Sequence, residues 1–493
     1  MKTQLSRRTF LQSLSGAAAL AGLAACVQPG GPQGDDMDAA RQTIELYVGG
    51  TFQPEVARGE GLDHLHEARH LADEWEAEHA EYALEYVSGP GGEGIEQWVK
   101  ALQAAGTMPD ILNAVDNWLN RDIGTDYWVI VDDYVEEPNH YIPQGELGHD
   151  RWRDAFIAGF DARNRMIDSH YYGVPQAING VQIFCNLDIL EASGVDFESE
   201  IIDPRWTFDD MLGISQRIAD AGHTPWSLAW NRPYWNWIQT TALSGFLKST
   251  GKWSVLDTNN DDFVTSIERF KAIDRGDWTA DSDEFRAMHQ MAQDWTQYWS
   301  EGFLGLTSAE MSALFARGEA AFWWSTSNSY PVMQNDPLRE FDFAIARFPL
   351  CFDRMATIGQ GGPTQYPGGA YNTIAMTATA TRNGTLDACV DFMKLFTSCD
   401  GQGRLSREHG GVVPAVFCAQ GRPELEQFKP DVGETFLLTI HMTSMHFDYG
   451  ETYWRITSEW LGGTLSYDEA MAKFQPVMEQ FAKDAIERAA AES

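Results

Sequence analysis

The sequence predicts an α/β fold in which parallel strands alternate with covering helices. Three short stretches have the apolar pattern of strands, namely residues 43–48, 82–87 and 108–112. Between them, residues 62–80 and 95–105 place apolar side chains three and four positions apart, which is typical of helices packed on one face. This alternation predicts a parallel sheet with helices on both faces.

The loops that follow these strands are expected to share one rim of the sheet. In open α/β sheets, ligands bind beyond the carboxyl ends of the strands. The segments 49–53, 88–94 and 113–118 would therefore lie together, and the first two contain most of the local glycines. This rim is the first place to look for a binding site.

Composition and charge exclude some functions. The chain has 493 residues, which is enough for two domains, and it carries 72 acidic and 35 basic side chains for a net charge of −37. Such a surface repels phosphate backbones, so nucleic acid is not expected as a partner. The 18 tryptophans and 16 tyrosines suit either a large core or a sugar site, because sugar faces stack on aromatic rings.

The first 25 residues have the form of an export signal. Residues 6–11 read Ser-Arg-Arg-Thr-Phe-Leu, which resembles a twin-arginine signal, and an apolar run of about twelve residues follows, too short to span a bilayer. Residues 23–26 read Leu-Ala-Ala-Cys and resemble a lipobox. We expect lipidation of Cys26, a flexible tether over 26–41, and a membrane-anchored lipoprotein in the periplasm or on the cell surface.

The remaining cysteines do not suggest a disulfide framework. They are Cys185, Cys351, Cys389, Cys399 and Cys418, an odd number with scattered spacing. Cys389 and Cys399 fall in one predicted helix, about 15 Å apart along its axis, which is too far for a bond between them. We interpret all five as structural thiols.

Several motifs in the rest of the chain occur in a familiar order. They are the Tyr-Gly-Val-Pro strand at 172–177, the segments 184–195 and 204–212, Phe315–Ala321, Pro367–Tyr371, Ala388–Ser398 and Gly410–Ala415. Their order and spacing resemble the family 1 extracellular solute-binding proteins of ABC transporters, the maltose-binding-protein-like family, in a lipoprotein form. Cys185 and Leu187 stand where that family usually has Tyr and Lys.

The resemblance implies a two-lobed α/β fold of the periplasmic-binding-protein-like type II, with a ligand cleft between the lobes. The first lobe would comprise 42–177 and 372–412, and the second 178–371 and 413–493. Hinges would lie near 175–179, 369–373 and 411–414, where glycine and proline suit either hinges or plain turns. We expect a monomer.

The resemblance also implies a function without catalysis or a cofactor. The protein would capture a sugar or oligosaccharide by lobe closure and deliver it to the permease subunits of an ABC importer. Relatives carry other solutes as well, so the ligand is left open. The implied ligand-binding residues are Asp116, Asn117, Trp118, Tyr234, Trp235, Trp237, Trp324, Asn328 and Tyr371.

These residues have a structural alternative. Asp116 is a good helix cap, and some of the four aromatics in Trp230–Trp237 must be core, so we favour Tyr234 and Trp235 over Trp237 for binding. Near Asn328 the family has a stacking tryptophan that is missing here, and Trp324 is its expected replacement.

Two enzyme classes and a calcium site compete with this interpretation. His66, Glu67 and His70 form a His-Glu-x-x-His pattern that could hold zinc in a metallohydrolase, but no third-ligand motif follows and acidic residues surround it, so we assign no metal ligand. A glycosidase needs a carboxylate pair, and nothing marks one. Residues 257–268 resemble an EF-hand loop, with Asp262 where glycine is usual; whether calcium binds there in a structural role is left open.

Overall fold

The computed structural model describes residues 41–54, 64–90, 94–157, 165–166, 170–258, 260, 264, 266–349, 368–370, 373–429 and 447–492. These residues fall within one compact unit, Arg41–Ser493. The predicted export signal, Cys26 and Tyr371 lie outside the described residues.

Within the described residues, the strands are β1 Gln42–Tyr47, β2 Tyr82–Tyr86, β3 Ile111–Ala114, β4 Gly173–Pro175, β5 Ile178–Asn186, β6 Thr224–Trp226, β7 Ala320–Thr326, β8 Phe343–Ala346, β9 Gly368–Ala370 and β10 Thr373–Met376. The α-helices are Gly49–Phe52, Glu67–Glu78, Ile95–Ala105, Asp116–Arg121, Asp132–Glu136, Leu187–Ala192, Phe208–Asp220, Arg232–Ile238, Ser244–Ser249, Trp253–Leu256, Ser266–Asp274, Asp283–Thr296, Ser308–Ala316, Ser329–Gln334, Ala378–Asn383, Leu386–Phe396, Cys399–His409, Phe447–Leu461 and Tyr467–Glu492. Short 3₁₀ turns are Trp152–Ala155 and Pro423–Phe428, and π-helical turns are Glu198–Ile202 and Gln239–Leu243.

The first sheet has the strand order β2-β1-β3-β10-β4. Strand β1 runs parallel to β2 and β3, with Ile44 opposite Leu84. Strand β10 arrives from far along the chain and lies antiparallel between β3 and β4. The approach is close at Gly173 of β4, where a Cβ would lie 2.2 Å from the carbonyl oxygen of Ile374. The predicted α/β fold with parallel strands is confirmed.

The second sheet has the order β6-β7-β5-β8, and β9 pairs with β5. The chain leaves the first sheet at the end of β4, Pro175, and enters the second at the start of β5, Ile178. It returns between the end of β9, Ala370, and the start of β10, Thr373. The strands thus separate into two sheets at positions close to two of the predicted hinges.

Apolar periodicity sets the helix that covers the first sheet. Helix Glu67–Glu78 buries Ala68, Leu71, Ala72 and Trp75, which recur three and four positions apart. Burial of a side chain such as Leu71 contributes about 1.5–3 kcal/mol, so this face holds the helix on the sheet. In the second part of the chain, Thr207 and Asp210 form a reciprocal capping box that starts helix Phe208–Asp220.

The prediction that the cysteines are all free thiols is wrong for one pair. Cys399 and Cys418 form a disulfide with Cα atoms 5.2 Å apart. The expectation of one helix containing Cys389 and Cys399 is also wrong, because Ser398 caps a new helix, Cys399–His409. Spacing did not indicate the bond because Cys418 lies in a segment that folds back onto that helix. Cys185 and Cys389 are buried free thiols, as predicted, and Cys351 lies outside the described residues.

One buried amide joins two stretches of chain between the sheets. The Gln402 side chain, fully buried, donates to the backbone oxygen of Gln176 at 3.0 Å and accepts from the backbone N–H of Ala415 at 2.9 Å. Next to it, Ile178 and Val413 exchange backbone hydrogen bonds, each 2.9 Å. The segments around residues 176–178 and 413–415 are therefore bound to each other and to helix Cys399–His409.

Candidate ligand-binding site

The first predicted ligand segment follows β3. Helix Asp116–Arg121 starts two residues after that strand ends. Trp118 is buried in a cluster with Leu119 and Trp128 and presents little surface. The side chains of Asp116 and Asn117 lie outside the described residues.

A second aromatic pair lies on the same rim, and the sequence analysis did not select it. The rings of Tyr47, at the end of β1, and Trp98 are 5.1 Å apart. Gly89 packs against them, because a Cβ there would lie 2.8 Å from the Tyr47 ring. The sequence signal was an aromatic residue at the end of a strand and a tryptophan after a glycine-rich loop. Trp98 is half-buried and remains accessible from the rim.

The second predicted segment lies on helix Arg232–Ile238, which has Pro233 in its first turn, a favoured position. Tyr234 and Trp237 are one turn apart on this helix, and their rings are 4.9 Å apart. The Trp237 ring is also 5.4 Å from the Trp324 ring of β7. We call Tyr234, Trp237 and Trp324 the aromatic wall.

The aromatic side chains of this helix differ in solvent accessibility. The Tyr234 hydroxyl accepts a 3.3 Å hydrogen bond from the Trp323 indole, and burial raises the pKa of Tyr234, so it stays a neutral phenol. Trp235 packs against Tyr453 at 5.0 Å and is only 1% exposed, whereas Trp237 is half-buried. In this conformation, Trp237 is therefore the more accessible ring.

Trp324 and Asn328 each bring an unpaired polar atom. Trp324 is fully buried and stacks on Phe348 at 4.6 Å. The indole nitrogen of Trp324 and the side-chain oxygen of Asn328 are buried without a hydrogen-bond partner among the described residues. An unmet buried polar group costs about 1–3 kcal/mol, so both atoms favour a ligand or water that can bond to them.

Asn328 lies where the sheets meet. Its backbone N–H donates to the Asn179 side-chain oxygen at 3.4 Å, at the start of β5. Gly411 packs on it, because a Cβ at that position would lie 3.1 Å from the Asn328 Cα. The structure thus brings together Tyr234, Trp237 and Trp324, and it sets Asn328 beside Asn179 at the start of β5 and beside Gly411.

The His-Glu-x-x-His pattern is engaged in structural contacts. Glu67 accepts one hydrogen bond from Arg404 at 2.7 Å and lies 3.3 Å from the His70 ring nitrogen. Burial raises the pKa of Glu67, but the hydrogen bonds and charges of Arg404 and His70 outweigh it and hold the pKa below its ordinary value. Such a carboxylate is a poor general base at neutral pH.

The two ends of the EF-hand-like segment 257–268 contact each other. The Glu268 carboxylate accepts from the backbone N–H of Thr258 at 2.9 Å and from its hydroxyl at 2.7 Å. The residue that would chelate calcium at the end of the loop therefore also stabilises its first turn. Residues 259, 261–263 and 265 lie outside the described residues.

Two sheets with repeated passages of the chain between them are the architecture of a two-lobed α/β solute-binding protein. The sequence profile of the bacterial extracellular solute-binding proteins matches residues 65–402. The chain belongs to this family, as its motifs predicted. The family consists of binding receptors and not of enzymes.

Solved structures share the fold over nearly the whole chain. The cyclic alpha-maltosyl-1,6-maltose binding protein of Arthrobacter globiformis is 16% identical, with a TM-score of 0.61 over 90% of this chain and 100% of that one. The GacH receptor of Streptomyces glaucescens is 18% identical, with a TM-score of 0.56 over 90% of this chain and 99% of that one. RafE of Streptococcus pneumoniae is 14% identical, with a TM-score of 0.59 over 91% of this chain and 100% of that one.

No curated protein sequence matches the chain. Within the part of the chain that the structure describes, every helix is too short or too polar to cross a membrane.

Proposed function

We propose that this protein is the substrate-binding receptor of an ABC importer and that it captures a sugar or oligosaccharide. The observation that carries the proposal is the aromatic wall with the unpaired indole nitrogen of its member Trp324. The unpaired Asn328 oxygen lies four residues further along the chain. Aromatic faces bind the apolar faces of pyranose rings, while donors and acceptors bind the hydroxyl groups at the ring edges. Three proteins of this fold are described with raffinose, acarbose or a maltosyl-maltose, which supports a carbohydrate ligand.

We assign the first lobe to residues 42–177 and 372–412 and the second to the remainder of 178–493, with one adjustment. Ile157 donates to the Ala415 carbonyl at 2.8 Å, and Cys418 is bonded to helix Cys399–His409. The segment just after residue 413 therefore packs on the first lobe. We place the third boundary near residue 422, before the turn Pro423–Phe428.

Binding would begin at the accessible part of the site. Trp237 is half-buried and offers the first contact, whereas Trp324 is sealed by Phe348 and must be uncovered by a shift of that ring. A ligand that also reaches Trp118, Asp116 or Asn117 on the other lobe would favour the closed form by its differential affinity for that form. Tyr371 completes the proposed set. Binding changes no covalent bond of the sugar.

The export motifs complete the proposal. A twin-arginine signal, a lipidated Cys26 and a tether over 26–41 would hold a monomeric receptor at the outer face of a membrane, within reach of the permease subunits. A hydrolytic alternative has little support, because Arg404 and His70 occupy Glu67 and lower its pKa.

The proposal is tested by thermal shift of the chain from Arg41 onward against mono- and oligosaccharides, with tryptophan fluorescence as a second readout. A ligand at a hundredfold excess over its dissociation constant stabilises by about 2.7 kcal/mol. Trp237→Ala should weaken binding about tenfold through lost stacking. Tyr298→Ala, which alters a half-buried aromatic side chain whose hydroxyl donates to Gln216, is the control.

Each outcome has a clear meaning. A hit that is lost in Trp237→Ala and kept in the control supports a sugar receptor. No binding across the panel removes the carbohydrate ligand. Turnover of a glycan would show that the protein is an enzyme.

A further inference from the structure

A carboxylate on helix Leu386–Phe396 is held in a fixed orientation. The Trp75 indole donates to Asp391 Oδ2 at 2.7 Å, and the Tyr141 hydroxyl donates to the same oxygen at 2.8 Å. Burial and the hydrogen bond to Asp391 raise the pKa of Tyr141, which therefore remains a donor. Both contacts use Oδ2, so Oδ1 receives neither of them.

Two imidazoles flank this carboxylate from other parts of the chain. His79, directly after helix Glu67–Glu78, has its Nε2 3.5 Å from Asp391 Oδ2. His140 has its Nε2 3.6 Å from Asp391 Oδ1. The three side chains come from segments far apart in sequence. The fold brings each imidazole within about 4 Å of the Asp391 carboxylate.

The tautomer of His79 follows from its other nitrogen. His79 Nδ1 lies 2.9 Å from the backbone oxygen of Trp75, and a carbonyl can only accept, so Nδ1 carries the hydrogen. The His79 ring also stacks on the Trp75 ring at 4.1 Å, which fixes its orientation. In neutral His79, the Nε2 lone pair therefore faces a carboxylate oxygen, and a cation between the two is favourable.

We propose that His79, His140 and Asp391 bind one divalent transition-metal ion of the zinc type. In metal sites, a ligating imidazole commonly donates its other ring N–H to a carbonyl, and a ligating carboxylate is oriented by hydrogen bonds. His79 and Asp391 have these contacts here. Two imidazoles and a carboxylate suit zinc, nickel or copper more than calcium. The net charge of −37 raises the local concentration of cations.

The site is close to, but not yet in, its bound geometry. Tetrahedral ligands about 2.1 Å from an ion are about 3.4 Å from one another, which resembles the observed separations. Among the described residues, no three such side chains already converge on one ion position. Closure needs rotation of His140, whose side chain is 62% exposed and whose ring lies 4.1 Å from that of Tyr141. The bound ion would tie residue 140, the end of helix Glu67–Glu78 and helix Leu386–Phe396 together.

The test is a zinc titration of chelator-treated protein by calorimetry, with melting temperature as a second readout. We expect one ion per chain and a rise in melting temperature. His140→Ala changes an exposed side chain and should keep the fold while weakening zinc at least about tenfold. His70→Ala, in the exposed pair with His66, is the control and should leave binding unchanged.

Two results would overturn the assignment. One is a protein that binds no zinc in the titration. The other is zinc binding that survives His140→Ala, including the case in which His70→Ala removes it, since the ion would then lie on the His66 and His70 pair. His79→Ala separates a role for both imidazoles from a site built on His140 alone.

Discussion

The side-chain carboxylate of Glu408 accepts a 2.7 Å hydrogen bond from the backbone N–H of His66. Its other oxygen accepts from the N–H of Glu67 at 2.9 Å. The first N–H groups of a helix lack partners within the helix, and a carboxylate also complements the positive end of the helix dipole. Arg404, one turn before Glu408, pairs with the Glu67 side chain at 2.7 Å. The histidine pattern that suggested zinc is thus the start of a docked helix.

Removal of this cap should destabilise the fold without affecting any ligand. Glu408→Ala leaves two backbone donors without a protein partner, and loss of a helix cap costs about 1 kcal/mol. Urea unfolding followed by circular dichroism measures the change. Glu191→Ala, at an exposed glutamate, should change the midpoint much less. Equal effects from both variants would contradict a capping role for Glu408.

His289 should make stability depend on pH. The ring is fully buried, with Nδ1 2.8 Å from the Phe285 oxygen and Nε2 2.7 Å from the Tyr453 hydroxyl. Burial lowers the pKa of His289 from 6.5 to about 3. Between these two pKa values, His289 is protonated in the unfolded chain and neutral in the folded chain. The folding stability therefore falls as the pH drops from 6.5 towards 3.

The slope from this residue is about 1 kcal/mol per pH unit within that window. Urea unfolding of the wild type and His289→Gln at pH 7 and pH 4.5 isolates it, because the carboxylates contribute equally to both proteins. The variant is less stable at pH 7, but its stability should decline more slowly with acid. If the stabilities of the two proteins decline equally between pH 7 and pH 4.5, His289 does not cause the loss of stability in acid.

The Cys399–Cys418 bond should contribute to stability through the unfolded state. Its cysteines are 19 residues apart, and closing a loop of that size stabilises by about 3 kcal/mol. Reducing the disulfide of the wild type should lower the unfolding midpoint. The double variant Cys399→Ser with Cys418→Ser should lower it by the same amount. A reducing agent should have no effect on the double variant, and a shift there would point to another disulfide.

Local pattern was sufficient for much of the first sheet. The predicted helix over 95–105 is the observed Ile95–Ala105, and the strand predicted at 82–87 is Tyr82–Tyr86. These elements have regular apolar spacing, which depends only on neighbouring residues. The predicted helix over 62–80 was longer than the observed Glu67–Glu78, because a distant residue, Glu408, sets its start.

Contacts between distant segments account for what the sequence did not predict. The sequence favours Trp235 over Trp237 for binding, but Tyr453 from a late helix covers Trp235 and leaves Trp237 accessible. Phe348 seals Trp324 in the same way. No spacing rule identifies such covering residues, and the same holds for the approach of Cys418 to Cys399.

Gln402 stabilises the chain where it leaves the first sheet. Its amide is bonded at once to Gln176 and Ala415, so these two segments are held together against helix Cys399–His409. Both segments belong to the proposed first lobe, so a rotation of the proposed second lobe would have its pivot beyond Gln176, towards β5.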